Sequence, residues 1–355
     1  MRVLVLSAAR GIPLRGPTGA SAHLRSVAEA FSTLGHEVTV AVPYLADQRG
    51  AHGRPPDYRV HTLPPPPPTG SRRRRESRER HHSRALVDSV PGSFDVLWER
   101  HSLHADGGWR WARRHGVPRL LELNAPLALE REATDPPSGR ALARRLERDS
   151  LRHADHVFAV SRWLLPWARA LGARQVHHLL QATSHPRRGD RAHARRRLGL
   201  DGLVIGFVGS HRPWHGLAAV PALLDQLPEA TAVVVGQGDA PPPPHPRLLA
   251  LPHQPDLADV IAAFDVALAP GDAPPWVAPL KLMDYRAQGV PIVASDRGDA
   301  RQLVGQTGEV LPVHATPAEW AEAIRRQAGR RSPPSPRTWP TAIAEALDRA
   351  GLSRG

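Results

Sequence analysis

At 355 residues the chain is long enough for two ordinary domains, each with a sizeable core. It has no cysteine, which excludes disulfides, thiolate metal sites and a cysteine nucleophile. The formal net charge of +13 suits a phosphate-bearing ligand, anionic lipid or nucleic acid, but no zinc-finger spacing or aromatic ladder accompanies the arginines, so no nucleic acid is expected as partner. No run of eighteen apolar residues occurs, and MRVLVLSAAR is too short in apolar length for a signal peptide. A cytoplasmic location is expected, with any membrane contact peripheral.

Residues 2–7, RVLVLS, predict a buried strand. The loop GIPLRGPTGASAHL carries Gly11, Gly16 and Gly19 and leads to a helix over His23–Leu34, ended by Gly35 before the strand HEVTVAVP. This strand–helix–strand unit with a glycine-rich first turn opens a doubly wound α/β sheet. Its spacing departs from G-x-G-x-x-G, so no nicotinamide cofactor is expected, although glycines there allow a ligand close to the backbone. Residues 50–86, with Pro64–Pro68 and SRRRRESRER, read as a flexible surface excursion, either simply solvated or touching an acceptor or lipid.

FDVLWER (94–100) and VPRLLELNAP (117–126) predict further strands, with a helix over HADGGWRWARRHG between them. Ligands of open α/β sheets bind beyond the carboxyl ends of strands, which makes Glu99, Arg100, His101, Glu122 and Asn124 candidates. A helix at about Gly139–His153, the strand ADHVFAVS and a helix capped by Ser161 complete the first half. The arginine-rich stretch 184–200 marks a boundary, giving expected domains 1–183 and 184–335 and a closing segment, 336–355, returning to the first. The rhythm restarts with LVIGFVGS (203–210), the loop HRPWHG, TAVVVGQGD (231–239), the helix DLADVIAAF, the strand DVALAP and a last helix, Pro317–Gln327. Two such halves make a cleft between them.

WVAPLKLMDYRAQGVPIVAS (276–295) is where the chemistry is expected. Pro279 suits a first helical turn, Gly289 a left-handed stop, and Ile292–Ser295 a core strand. A helix start offers free N–H groups and about half a positive charge to a phosphate, here through the amides of Leu280 and Lys281. Asp284, one turn on, is placed to accept both hydroxyls of a ribose. The plainer alternative is a core-packing helix with a surface Lys281–Asp284 pair worth a few tenths of a kcal/mol, roughly. Composition favours the first: the chain holds 46 arginines but a single lysine, Lys281, and a single asparagine, Asn124.

Seven segments in order resemble the retaining nucleotide-sugar glycosyltransferases of family 4: LGHEVTVAVP, GVPRLLELNAP, ADHVFAVS, GFVGSHRPWHG, VVVGQGD, FDVALAP and PLKLMDYRAQGVPIVAS. The resemblance implies the GT-B fold of two facing Rossmann-like domains, with a nucleoside-diphosphate sugar of UDP or GDP type held mostly by the second. It implies that Asp284 matches the family's second acid, shortened from Glu, while Trp276 replaces the first acid and would stack on the sugar. Pro279 replaces a glycine of the phosphate turn. Gly209, Arg212 and His215 fall where the family holds the diphosphate, with His215 in place of Lys. Gly16 and Gly19 resemble the first domain's glycine turn, and Gln254 is a candidate for the nucleobase edge.

No Asp-x-Asp occurs, so a metal-free mechanism is expected, and no cofactor beyond the donor. Arg212, His215, Lys281 and the helix start would stabilise the departing phosphate, with His215 making that grip sensitive to pH below about 7. Front-face attack with retention follows from the resemblance, with Asn124, His101 and Glu122 orienting acceptor or sugar. The acceptor is expected to be a small molecule of specialised metabolism. A nucleotide-sugar epimerase of the same fold and a non-catalytic nucleotide-sugar binder are the alternatives, separated by whether turnover needs a second substrate.

Overall fold

The computed structural model describes residues 1–16, 18–45, 57–134, 139–254 and 256–353, and the chain forms two compact units. The first comprises Met1–Leu180 with Trp339–Gly355, and the second Gln181–Thr338.

In the first unit the order is β1 (Arg2–Ser7), α1 (Gly19–Thr33), β2 (Glu37–Val42), β3 (Arg59–Thr62), α2 (Arg72–Asp88), β4 (Val96–Arg100) and α3 (Gly107–His115). It continues with β5 (Arg119–Leu123), α4 (Leu127–Thr134), α5 (Arg140–Arg152), β6 (His156–Ala159), α6 (Leu164–Ala170) and β7 (Val176–His178). The strands form one parallel sheet in the order β3-β2-β1-β4-β5-β6-β7. Helices covering both faces explain why β1 reads as a nearly unbroken apolar run: Val3, Leu4, Val5 and Leu6 are all fully buried. Thr18 caps α1 by accepting from the Ser21 amide at 3.2 Å.

The second unit holds α7 (Arg191–Leu198), β8 (Leu203–Val208), α8 (Val220–Gln226), β9 (Ala230–Val235), β10 (Leu248–Leu251), α9 (Ala258–Ala263) and β11 (Val266–Ala269). Then follow α10 (Lys281–Ala287), β12 (Ile292–Ser295), α11 (Ala300–Val304), β13 (Gly308–Leu311) and α12 (Pro317–Gln327). Its parallel sheet runs β10-β9-β8-β11-β12-β13. Chain direction across the sheet therefore reverses between β8 and β11, the place where doubly wound folds hold ligands. The last helix, α13 (Trp339–Arg349), packs against α1 in the first unit, with the Trp339 ring 4.4 Å from His23.

The stretch expected to be a loop over 50–86 is largely regular. Residues 59–62 form an outer strand beside β2, and the arginine run lies on α2; residues 46–56 lie outside the described set. Charge density signalled solvation, but Glu76, Ser83, Leu86 and Val87 are buried at helical spacing, and Arg72 pairs with Glu76 at 2.7 Å one turn on. Among the described residues no helix is long and apolar enough to cross a membrane.

Trp339 is 3% exposed although it lies far along the chain from the unit it joins. Trp339→Ala is expected to cost about 3 kcal/mol, read from urea unfolding of the full chain.

Candidate active site

β8 and β11 pair only at Ile205–Val266 and Gly206–Ala267, and beyond that they part. The Tyr285 hydroxyl spans the gap, accepting from the Val208 amide at 3.0 Å and donating to the Leu268 carbonyl at 3.1 Å. This fixes α10 against the carboxyl ends of both strands. The loops that follow interlock there: the Asp272 amide donates to the Trp214 carbonyl at 2.9 Å, and the Gly271 amide to Ser295 Oγ at 3.0 Å. A Cβ on Gly271, whose φ is +111°, would lie 2.0 Å from the Trp214 carbonyl oxygen, so only glycine fits.

Lys281 starts α10 within this cluster. Its Nζ lies 3.7 Å from the centre of the Phe207 ring, and a Cβ on Gly209 would come within 3.3 Å of it. Gly209 thus reserves the space that the ammonium occupies. Lys281 forms no ion pair among the described residues, and burial brings its pKa down from 10.5 to about 7. The helix begins at Lys281 rather than Pro279: Leu280 already has helical dihedrals, and the Pro279 carbonyl accepts from the Leu282 amide at 3.1 Å in a tighter turn. The amides of Leu280 and Lys281 make no backbone hydrogen bond, so the expected donors are present at a tip shifted by two residues.

His215 lies in the same ring of loops but is not a second cation. Burial, followed by the nearby Lys281 charge, lowers its pKa to about 4, and its Nδ1 bonds to the Ser210 carbonyl. The expected pH sensitivity of the grip below about 7 through His215 is therefore corrected: with its pKa at about 4, this imidazole gains no charge just below pH 7. Arg212 is exposed, 3.4 Å from Asp239 and over the Trp214 ring at 6.0 Å. His211, not singled out by the sequence, is 4% exposed with its Nε2 unpartnered, and burial and Lys281 lower its pKa.

Asp284 is placed differently from expectation. It is 7% exposed, and its Oδ1 accepts from Thr183 Oγ1 at 2.6 Å and from the Ser184 amide at 3.2 Å. Burial raises its pKa, with His185 and these hydrogen bonds acting against that rise. Gln288, one turn on, holds the same leading segment through Gly189 at 2.9 Å and the Arg187 carbonyl at 2.8 Å. The polar face of α10 grips residues 183–189, so the ribose role is not supported for Asp284. The shortened side chain reaches Thr183 and Ser184 of its own unit.

Gln254 follows β10, two strands from β8, and its Nε2 donates to the Pro252 carbonyl at 3.2 Å. Trp276 is half-buried in the loop between β11 and α10. In the first unit, Gly16 is crowded, since a Cβ there would lie 2.6 Å from Ser21 Oγ, whereas Gly19 faces open space.

The three residues expected to orient acceptor or sugar are tied into the first unit's interior. Glu122 is 1% exposed; its carboxylate accepts from Trp98 Nε1 at 3.0 Å, Arg100 at 2.9 Å and Asn124 Nδ2 at 2.6 Å, with His23 Nε2 at 3.0 Å. Burial would raise its pKa, but His23, Arg100 and Asn124 outweigh that and hold it at about 2. His101 is buried beside Glu147 at 3.2 Å. Glu122 and His101 both make internal ties, His101 Nδ1 keeps no hydrogen-bond partner, and half-buried Asn124 shares the Glu122 tie. Position at a strand's carboxyl end does not reveal which way a buried side chain finds its partners. Among the described residues no three His, Asp or Glu side chains group as a metal site.

Residues 18–180 match the family described as "Glycosyl transferase 4-like domain", and residues 202–328 match "Glycosyl transferases group 1". The D-inositol 3-phosphate glycosyltransferase of Mycobacterium leprae is 29% identical over 269 residues, covering 68% of this chain and 62% of that protein. The sucrose-phosphate synthase of Thermosynechococcus elongatus superposes with a TM-score of 0.71 at 18% identity, over 99% of this chain and 94% of that one. Anabaena HepE, solved in complex with UDP-glucose, gives 0.63 at 18% identity, over 98% and 95%. These likenesses, with the two sheets, establish the GT-B fold.

Two substitutions separate the roles on α10. Asp284→Ala strands the Thr183 hydroxyl and is expected to cost about 1–3 kcal/mol in denaturant unfolding. Lys281→Met removes a desolvated charge. Because the folded-state pKa lies below the unfolded one, the burial penalty is complete below pH about 7 and fades toward 10.5. The melting temperature of Lys281→Met should exceed the parent's most near pH 6, with the gap closing by pH 10.

Proposed function

We propose that this chain, which belongs to the GT-B glycosyltransferases of the family-4 type, moves a sugar from a nucleoside-diphosphate sugar to a small hydroxyl-bearing acceptor with retention and without a metal ion. The observation that carries this reading is the unpaired, desolvated Lys281 ammonium at the β8–β11 reversal, beside two free amides. Such a cation has no internal counter-charge and gains most from an arriving diphosphate.

In the proposed step the glycosyl–oxygen bond breaks and negative charge grows on the β-phosphate oxygen. Lys281 Nζ–H, Arg212 and the amides of Leu280 and Lys281 donate to that charge, which stabilises the transition state more than the bound donor. His211 and His215, neutral and partly dry, add donors without competing for the proton that Lys281 holds. The departing phosphate takes the proton of the attacking acceptor hydroxyl, so no protein nucleophile is needed. Gly209, with φ +141°, keeps the approach clear of a side chain. The Mycobacterium leprae relative is named for inositol 3-phosphate, which supports a small polyol-like acceptor here. HepE was solved with UDP-glucose, which supports a uridine donor, and a cytoplasmic site of action agrees with such a donor.

The test is thermal shift of the full chain with UDP, GDP, TDP and ADP in the presence of EDTA. One of the four should raise the melting temperature. A response that appears only with added magnesium contradicts the metal-free reading. Lys281→Met should lower transfer about a hundredfold or more while the fold persists. Since only the protonated amine attracts phosphate, nucleotide affinity should fall as pH rises from about 6 to 9, whereas a flat profile would place the phosphate elsewhere.

A further inference from the structure

The arginine-rich stretch that opens the second unit takes no part in the sugar-transfer step. Arg191 and Arg195, one turn apart on α7, reach the end of α9 and the residue before β11. Arg191 Nη1 donates to the carbonyls of Ala263 at 3.1 Å and Phe264 at 2.9 Å, and Arg195 Nε to that of Ala263 at 3.1 Å. Each also pairs with one carboxylate oxygen of Asp265. Arg331, late in the unit's sequence, donates to the same Phe264 carbonyl at 2.7 Å and to the Gln288 carbonyl at 3.0 Å. Two guanidinium groups from distant parts of the chain thus share one carbonyl oxygen.

Arg188 is brought beside them by Gln288. The Gln288 side chain donates to the Arg187 carbonyl at 2.8 Å and accepts from the Gly189 amide at 2.9 Å, which pins the backbone on either side of Arg188. The residue whose carbonyl holds Arg331 therefore also fixes the position of Arg188, whose side chain is exposed.

The charges of this group do not balance. Among the described residues, Asp265 is the one acid with which any of these four arginines pairs, and the nearby Asp256 and Asp259 are taken up by Arg187. Arg331 bonds to neutral carbonyls alone; burial, then Arg191, Arg195 and Arg188, lower its pKa against the opposing effect of Asp265. The end of α9 attracts cations, but a helix C-terminus offers only about half a negative charge. At least two positive charges stay open. Arginine keeps its proton at neutral pH, so an arriving anion, rather than loss of a proton, relieves the repulsion.

We infer that Arg188 and Arg331, backed by Arg191 and Arg195, bind a phosphate group, either inorganic or carried as a monoester by a soluble molecule or a lipid headgroup. Guanidinium groups suit two-point recognition of phosphate oxygens. Arg195 also donates to the Gly202 carbonyl at 3.2 Å, just before β8, so the group lies at the amino ends of β8 and β11. Lys281 lies at their carboxyl ends. The site is therefore separate from the donor site and does not rest on the sugar-transfer reading.

The test is hydrogen-exchange mass spectrometry of the full chain, titrated with inorganic phosphate or glycerol 3-phosphate against chloride at matched ionic strength. Exchange over residues 187–191 and 330–335 should slow saturably with phosphate, and equally in Lys281→Met. In Arg188→Gln/Arg331→Gln the midpoint of that protection should move to about tenfold higher phosphate or beyond. Arg145→Gln/Arg148→Gln, which removes the same charge from α5, should leave it unchanged. Arg188→Gln alone, which breaks none of the carbonyl contacts, serves if the double variant does not fold. Vesicles of phosphatidic acid in phosphatidylcholine, against phosphatidylcholine alone, separate the sources. Protection by a soluble probe assigns a soluble phosphate, and protection by the acidic vesicles alone assigns a lipid headgroup. The inference is overturned if no probe protects these two segments, if chloride protects them equally, if protection vanishes in Lys281→Met, or if the Arg188 and Arg331 substitutions leave it unchanged.

Discussion

The second unit depends on one phenol hydroxyl. A parallel sheet that reverses direction leaves two neighbouring strands with unmatched backbone groups where they part, and unpaired buried amides are costly. Tyr285 satisfies one donor and one acceptor at that point, and so fixes α10 in the fork between β8 and β11. Burial of the hydroxyl also pushes its pKa far up, which keeps the proton it donates. The position of Lys281, one turn earlier on the same helix, follows from that anchoring. The amine is set over Phe207 and against Gly209 without a carboxylate to neutralise it.

The two units treat charge in opposite ways. In the first, buried polar side chains close on each other: Glu99 with Arg119, Glu122 with Arg100 and His23, Glu147 with His101. Removing one partner leaves the other buried without its contact, so these pairs hold the sheet's carboxyl edge together. In the second, the half-buried cation Lys281 is left open. An uncompensated charge opposes folding, and its retention at the ligand-binding edge of the sheet is what points to phosphate.

Much of this was legible in the residues. Strand and helix alternation carries the doubly wound class, and Lys281 is the lone lysine beside 46 arginines. What sequence could not supply was direction. Asp284 lies one turn from Lys281, yet a side chain one methylene shorter than Glu finds Thr183 and Ser184 instead of open space. His215 carries a chargeable ring, but burial beside a lysine sets its state, and no spacing rule reports desolvation. The arginine run at 72–75 read as loop because its charge masked buried positions that recur only once the helix is known.

The most direct measurement exploits the single lysine. Carbon-13 labelling at the lysine ε position of tag-free protein gives one NMR signal, assignable without mutation. Its titration should show a midpoint near 7 in the free protein that moves upward when the stabilising nucleoside diphosphate is added. A midpoint near 10.5 that the nucleotide leaves unchanged would show a solvated, unengaged amine and contradict the assignment of Lys281 to the donor phosphate.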